Sequence, residues 1–128
     1  MAEASYPDDL LYHPEHDWAR VDGDQATFGI TWYAQDALGE VVFFDPPSVG
    51  ALLKKDESYT EVESVKAVSD VFAPLSGEVV EVNDGLSEKP ETINEDPYGE
   101  GWLVKVKLSD PSEAQSLMDS ATYEASLS

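Results

Sequence analysis

Residues 63–70 read Glu-Ser-Val-Lys-Ala-Val-Ser-Asp and place one lysine, Lys66, between Val65 and Val68, where two segments of strand composition meet. Basic residues are scarce in this chain, with 7 Lys+Arg against 27 Asp+Glu. Between Asp56 and Gly101 there are 13 acidic residues and two basic ones, Lys66 and Lys89. A lysine at the tip of a β-hairpin stands exposed, and it either tempers local repulsion or presents its amine for chemistry. A turn with one protruding lysine on a rigid backbone is the physical design of a covalent attachment point. Spacing alone leaves both readings open.

On either side, short strands follow one another closely. Trp18–Val21 and Ala26–Ile30 read as strands joined at Asp22-Gly23, a hairpin dipeptide. Thr31 caps a short helix through Leu38, and Gly39 stops it. Val41–Phe44 is a continuous apolar run expected to be a buried strand, ended by Pro46-Pro47. Ser58–Glu63 precedes the lysine. After Gly77, Val79 and Glu81 alternate with Val80 and Val82. Residues 83–101 form a long polar loop region, longer than an ordinary connection. In Trp102–Leu108, the residues Trp102, Val104, Val106 and Leu108 share one face, opposite Lys105 and Lys107. From about 110 a C-terminal helix is expected. Asp110 is its N-cap, Pro111 lies in its first turn, Glu113 completes a capping box, and Ala114, Leu117, Met118 and Ala121 form its packed face. The pattern predicts a mainly β domain spanning 1–128, a compact barrel or sandwich with helices attached.

Composition excludes several classes. The net charge of −20 provides no basic stripe for nucleic acid and opposes an anionic membrane surface. It favours a monomer and partners with positive patches. No stretch reaches the roughly 18 apolar residues of a membrane span, and residues 1–9 lack the marks of a signal or transit peptide. A bacterial cytoplasm is expected, or the mitochondrial matrix in a eukaryote. The chain has no cysteine, so any thiol chemistry needs imported sulfur. His13-Pro14-Glu15-His16-Asp17 offers imidazoles and carboxylates, but the chain holds no further His or Cys and Pro14 prevents a helix that would align the two rings. A metal is not expected. No nucleophile elbow, P-loop or dinucleotide-binding glycine motif occurs.

The lysine stretch closely resembles the lipoylation signature of the glycine cleavage system H protein family. The likeness continues in His-Asp-Trp-Ala at 16–19, in Gly-Ile-Thr-Trp-Tyr-Ala-Gln-Asp-Ala-Leu-Gly at 29–39 and in Val-Val-Phe at 41–43. It extends to Ala-Pro-Leu-Ser-Gly-Glu-Val-Val-Glu-Val-Asn at 73–83 and Ile-Asn-Glu-Asp-Pro-Tyr-Gly-Glu-Gly-Trp-Leu at 93–103. Several blocks in the family's order are more specific than any one motif. The resemblance implies a flattened β-barrel of the lipoyl-domain type, a barrel-sandwich hybrid, with the modified lysine on a hairpin.

It further implies a carrier, not an enzyme. Lipoic acid would be joined to Lys66 as an amide by a lipoate ligase or lipoyltransferase, removing the ammonium charge and supplying the sulfurs. Glycine decarboxylase, the P protein, would load an aminomethyl group, and the aminomethyltransferase, the T protein, would pass it to tetrahydrofolate. Dihydrolipoyl dehydrogenase, the L protein, would reoxidise the arm. Glu63 and Gly77 match positions that lipoylating enzymes recognise, Gly77 being expected to permit a turn opposite the hairpin. Asp70 and Asp17 match acidic positions lining the cleft where the loaded, cationic arm rests. The chain departs from the family pattern at Asp17 (usually Glu), at Trp32 (usually Asp) and in Phe44-Asp45-Pro46-Pro47. The 2-oxoacid dehydrogenase lipoyl domains and biotin carriers are rivals with other residues beside the lysine. An H-like protein that relays lipoyl groups to other acceptors shares the same lysine chemistry, and an unmodified binding module would leave Lys66 silent.

Overall fold

The computed structural model describes residues 5–127. The reading of residues 1–9 as free of a leader falls partly outside them. The strands are β1 (Leu11–His13), β2 (Asp17–Asp22), β3 (Gln25–Ile30), β4 (Val41–Asp45), β5 (Leu52–Leu53), β6 (Ser58–Ser64), β7 (Val68–Phe72), β8 (Gly77–Val82) and β9 (Val104–Leu108). Helix α1 (Trp32–Leu38) lies between β3 and β4, α2 (Gly85–Glu88) and α3 (Thr92–Glu95) between β8 and β9, and α4 (Ser120–Ser126) near the end. A six-stranded sheet runs β1-β2-β3-β9-β8-β5 and a three-stranded sheet β4-β6-β7, so the barrel-sandwich expectation holds with the sheets left open. Among the described residues no helix is long and apolar enough to cross a membrane.

Period-2 alternation fills the space between the sheets. Phe28, Ile30, Val79, Val104 and Val106 from the larger sheet meet Val41, Phe44, Val62 and Val71 from the smaller one in one buried cluster. A second cluster joins Leu10, Tyr12, Trp18 and Tyr123. Trp18 pairs with Gly29 across β2 and β3, and a Cβ at Gly29 would lie 2.5 Å from the indole ring. The missing side chain is the space the tryptophan occupies.

The β2–β3 hairpin forms one residue later than Asp22-Gly23 suggests. Asp22 pairs with Gln25, leaving Gly23 and Asp24 as the loop with Gly23 at φ 65°. Thr31 caps α1 through Ala34 N–H, and Gly39 ends it at φ 82°.

Other expectations need correction. Val41–Phe44 is not buried throughout: Val42 and Phe43 are turned outward around a bulge, while Val41 and Phe44 enter the core. A second bulge between Val79 and Glu81 breaks the alternation of β8 and brings Val82 back to the core side opposite Val104. The loop of residues 83–101 contains α2 and α3, which pin it by burying Leu86 and Ile93. The last strand begins at Val104, and Trp102 packs instead with the aromatic cluster beneath Lys105, whose Nζ lies 5.0 Å from the ring centroid.

The single C-terminal helix is two elements. Asp110 caps a 3₁₀ helix (Pro111–Ser116), Leu117 is extended, and Asp119 caps α4. The break lets Met118 pair with Tyr12 through two backbone bonds of 2.8 Å. Glu113 forms no capping box. Its carboxylate accepts from Ser76 N–H at 2.8 Å and Ser76 Oγ at 3.0 Å, tying this helix to the start of β8.

Gly77 lies within β8 between Leu53 and Leu108 and does not form a turn. A Cβ there would approach Lys107 O to 2.4 Å, so glycine is needed for the close β8–β9 approach. Gly77→Ala must separate the strands, and chemical denaturation should show a loss of about 1–3 kcal/mol.

Candidate functional site

Strands β6 and β7 pair from Ser58–Phe72 up to Glu63–Val68, and Ser64 N–H then donates to Ala67 O at 2.8 Å. Val65 and Lys66 are left at the tip. The Ser64 hydroxyl accepts from Lys66 N–H at 3.3 Å and Ala67 N–H at 3.1 Å, closing the tip with a local side-chain turn. Val65 N–H donates to Glu40 O at 3.1 Å, which fastens the tip to the end of α1. The bare backbone of Gly39 lies against the lysine stem, since a Cβ there would be 3.3 Å from Lys66 Cε. The backbone is therefore fixed while the amine is exposed. Among the described residues Lys66 makes no ion pair, despite the surrounding carboxylates.

Cross-strand register groups the neighbours into rows. Phe43, Glu63 and Val68 lie side by side, as do Asp45, Glu61 and Asp70. Phe43 is 49% exposed, Val65 69% and Val68 57%, so the lysine rises from apolar surface with a carboxylate row beyond it. Glu63 thus stands in the row next to the tip. Gly77 lies in the other sheet.

Beside the hairpin is a cavity of about 300 Å³ between the β1–β2 turn, α1 and the edge of β7. Its lining includes Asp17, His16, Tyr33, Ala37, Ala67 and Asp70, so two of the expected acidic residues share one space with the residue following the lysine. Asp70 accepts from Ser58 Oγ at 3.3 Å. Asp17 is only 2% exposed, and among the described residues its Oδ2 has no hydrogen-bond partner, His13 Nδ1 lying 4.0 Å away. Burial pushes its carboxyl well above the ordinary value of 3.8, opposed in part by a bond from Phe72 N–H. Tyr59, whose hydroxyl is also buried without a partner, is raised by burial and then by the Asp17 charge. A larger groove of about 550 Å³ between α1 and α3 is rimmed by Asp36, Glu40, Glu91 and Glu95 and is lined by none of the site residues expected from the sequence.

The two imidazoles of 13–17 work apart. His13 Nε2 bonds Asp56 Oδ1 at 2.6 Å while Nδ1 accepts from Glu15 N–H at 3.1 Å, so its proton sits on Nε2. His13 and Lys55 together lower Asp56. His16 packs against Tyr33 with ring centroids 4.5 Å apart and the planes tilted by 34°, and it bonds Tyr123 OH at 2.8 Å. Among the described residues no group of three or more His, Asp or Glu could hold a metal. Tyr33, Tyr123 and Ser64 were not indicated by sequence reasoning. Only Ser64, two residues before the lysine, carried a local turn signal.

A family model described as glycine cleavage H-protein matches residues 10–128. The glycine cleavage system H protein of Symbiobacterium thermophilum is 55% identical over 122 residues, covering 95% of each chain. The mitochondrial H protein 2 of Arabidopsis thaliana is 52% identical over 90% of this chain and 74% of its own. The crystal structure of an H protein from Mycobacterium marinum superposes with a TM-score of 0.87 at 40% identity, covering 94% of this chain and 98% of that one.

The buried carboxyl has a measurable signature. Because the folded state raises its pKa above 3.8, its stabilising contribution is complete below that pH and is lost as pH rises through the raised value. Asp17→Asn, which cannot ionise, should therefore unfold at a higher temperature than the parent near neutral pH. The gap should close as the pH is brought down to about 4 in a series of thermal melts.

Proposed function

The chain belongs to the glycine cleavage H-protein family, whose members carry lipoate and are not catalysts, and we propose that Lys66 bears the group here. The observation that carries this reading is one exposed, unpaired lysine on a stapled hairpin tip, beside a cavity with a buried carboxyl oxygen lacking a partner. A cavity of about 300 Å³ lies at the lower end of small-molecule sites. When attached, the group supplies a disulfide that takes up an aminomethyl unit and is returned as a dithiol for reoxidation.

The protein's part is to present and shelter. Amidation removes the Lys66 ammonium, so the stem can fold toward the cavity without burying a charge. Asp17 holds its proton while no cation is near. A cationic amine entering the cavity favours the ionised carboxylate and gains a charge-assisted hydrogen bond in a site shielded from water. Asp70, at the rim, adds a second negative charge. Glu63, in the row beside the tip, is a contact for the lipoate ligase or lipoyltransferase. Gly77 acts through the strand spacing it permits. In this reading the P protein loads the arm, the T protein unloads it and the L protein reoxidises it. Each meets the apolar surface of Phe43, Val65 and Val68 with complementary positive charge beyond.

The test is an intact-mass measurement after incubation with lipoate, ATP and a lipoate ligase. One lipoyl adduct is expected on the parent chain and none on Lys66→Arg; a well-folded parent without an adduct would sink the reading. Once loaded by glycine decarboxylase and glycine, Asp17→Asn combined with Asp70→Asn should release its load to water about tenfold faster than the parent.

A further inference from the structure

One phenol of the C-terminal helix ties together two elements that line the cavity. Tyr123 of α4 is fully buried, and its ring stacks on Tyr12 at 4.8 Å with an interplanar angle of 10°. Its hydroxyl lies 2.8 Å from His16 Nδ1 and 2.8 Å from Thr31 Oγ1. These partners belong to different walls of the cavity. His16 precedes Asp17 in the β1–β2 turn, and Thr31 caps α1, whose Tyr33, Ala34 and Ala37 line the same space.

The direction of the chain follows from the donors available. Thr31 Oγ1 accepts from Ala34 N–H at 3.2 Å, and the buried Thr31 hydroxyl finds its acceptor in the Tyr123 oxygen. The Tyr123 O–H is then free to donate to His16 Nδ1, which places the His16 proton on Nε2. Burial lowers His16 and favours the same neutral ring. His16 has φ 73°, one of two non-glycine residues among those described with a left-handed backbone. Such a conformation persists where its surroundings hold it. Here they are the Tyr123 hydroxyl, the tilted ring contact with Tyr33, and the bond from Thr31 N–H to His16 O at 3.0 Å.

We propose that Tyr123 is a positioning residue of the arm cavity. Its hydroxyl fixes the His16 tautomer and holds together the turn carrying Asp17 and the start of α1. The functional half rests on the reading that the arm of Lys66 lodges in this cavity; the structural half does not.

Tyr123→Phe removes the hydroxyl and keeps the stacked ring. Nitrogen NMR of the full chain should show the parent His16 with its proton on Nε2 and the variant with mixed tautomers. Lipoylation should stay within about twofold, since the hairpin is untouched, while the loaded form should lose its load to water about tenfold faster. Thr31→Ser keeps the hydroxyl and should match the parent in all three readouts. Thr31→Val interrupts the same chain and should reproduce the tautomer change should Tyr123→Phe not fold. A parent ring protonated on Nδ1, or a ring unchanged in the variants, overturns the proposal. So does a changed ring with parental decay when the Asp17→Asn and Asp70→Asn double variant decays faster. Parental decay in that double variant as well places the failure in the cavity reading, and the positioning role falls with it.

Discussion

The site depends on a carboxyl group taken out of water and left with one oxygen unpartnered. Such an atom costs about 1–3 kcal/mol, so a fold tolerates it only where packing elsewhere offsets the loss. Asp17 is tolerated because it continues a strand that pairs with Ile30 and is followed by Trp18, fully buried over Gly29. There the carboxyl is held inside, at 2% exposure. The core that secures the two sheets thus also keeps an unsatisfied acid at the wall of a cavity, where a cation would favour its ionised form.

Around this acid the structure divides its tasks. The lysine tip belongs to the small sheet, where Ser64, Glu40 and Gly39 fix it. The acid comes from the large sheet through β2. Helix α1 stands between them, capped by Thr31 and ended by Gly39, so one residue at each end of a seven-residue helix serves a different part of the site. The tip and the acid are held to a common element, and strands from two open sheets line one cavity with it.

The strands on either side of the lysine, α1 with both caps, and the sandwich class were legible because they rest on local signals: alternation, a threonine cap and a stop glycine. The misreadings came from long-range partners. Glu113 looked like half of a capping box, yet Ser76, 37 residues earlier, offers two donors to its carboxylate. Leu117 and Met118 fit a helical period, but the edge of β1 offers Met118 a pair of backbone bonds, and the helix breaks there. Val80 alternates on paper and becomes the extra residue of a bulge. Gly77 carries no left-handed angle that a turn signal could foretell; its reason is the carbonyl of Lys107. Asp17 and Asp70 could be placed in one cleft only through the family resemblance, since 53 positions separate them in the sequence (70 − 17).

The isolation of Lys66 follows from the same geometry. Side chains alternate along β6, so the acids on its outer face are Glu61 and Glu63, and at the tip the chain supplies Val65 and Ala67. Those residues offer the ammonium no carboxylate, and Gly39 gives its stem a surface to lie on without a competing side chain. In the proposed carrier role this arrangement would favour acylation, because the acylating enzyme would have no ion pair to break before the nitrogen attacks. In the proposed carrier role the excess of negative charge elsewhere would act at longer range, drawing basic partner surfaces toward the chain. Charge would steer the encounter, while the stapled backbone sets the geometry of the lysine tip.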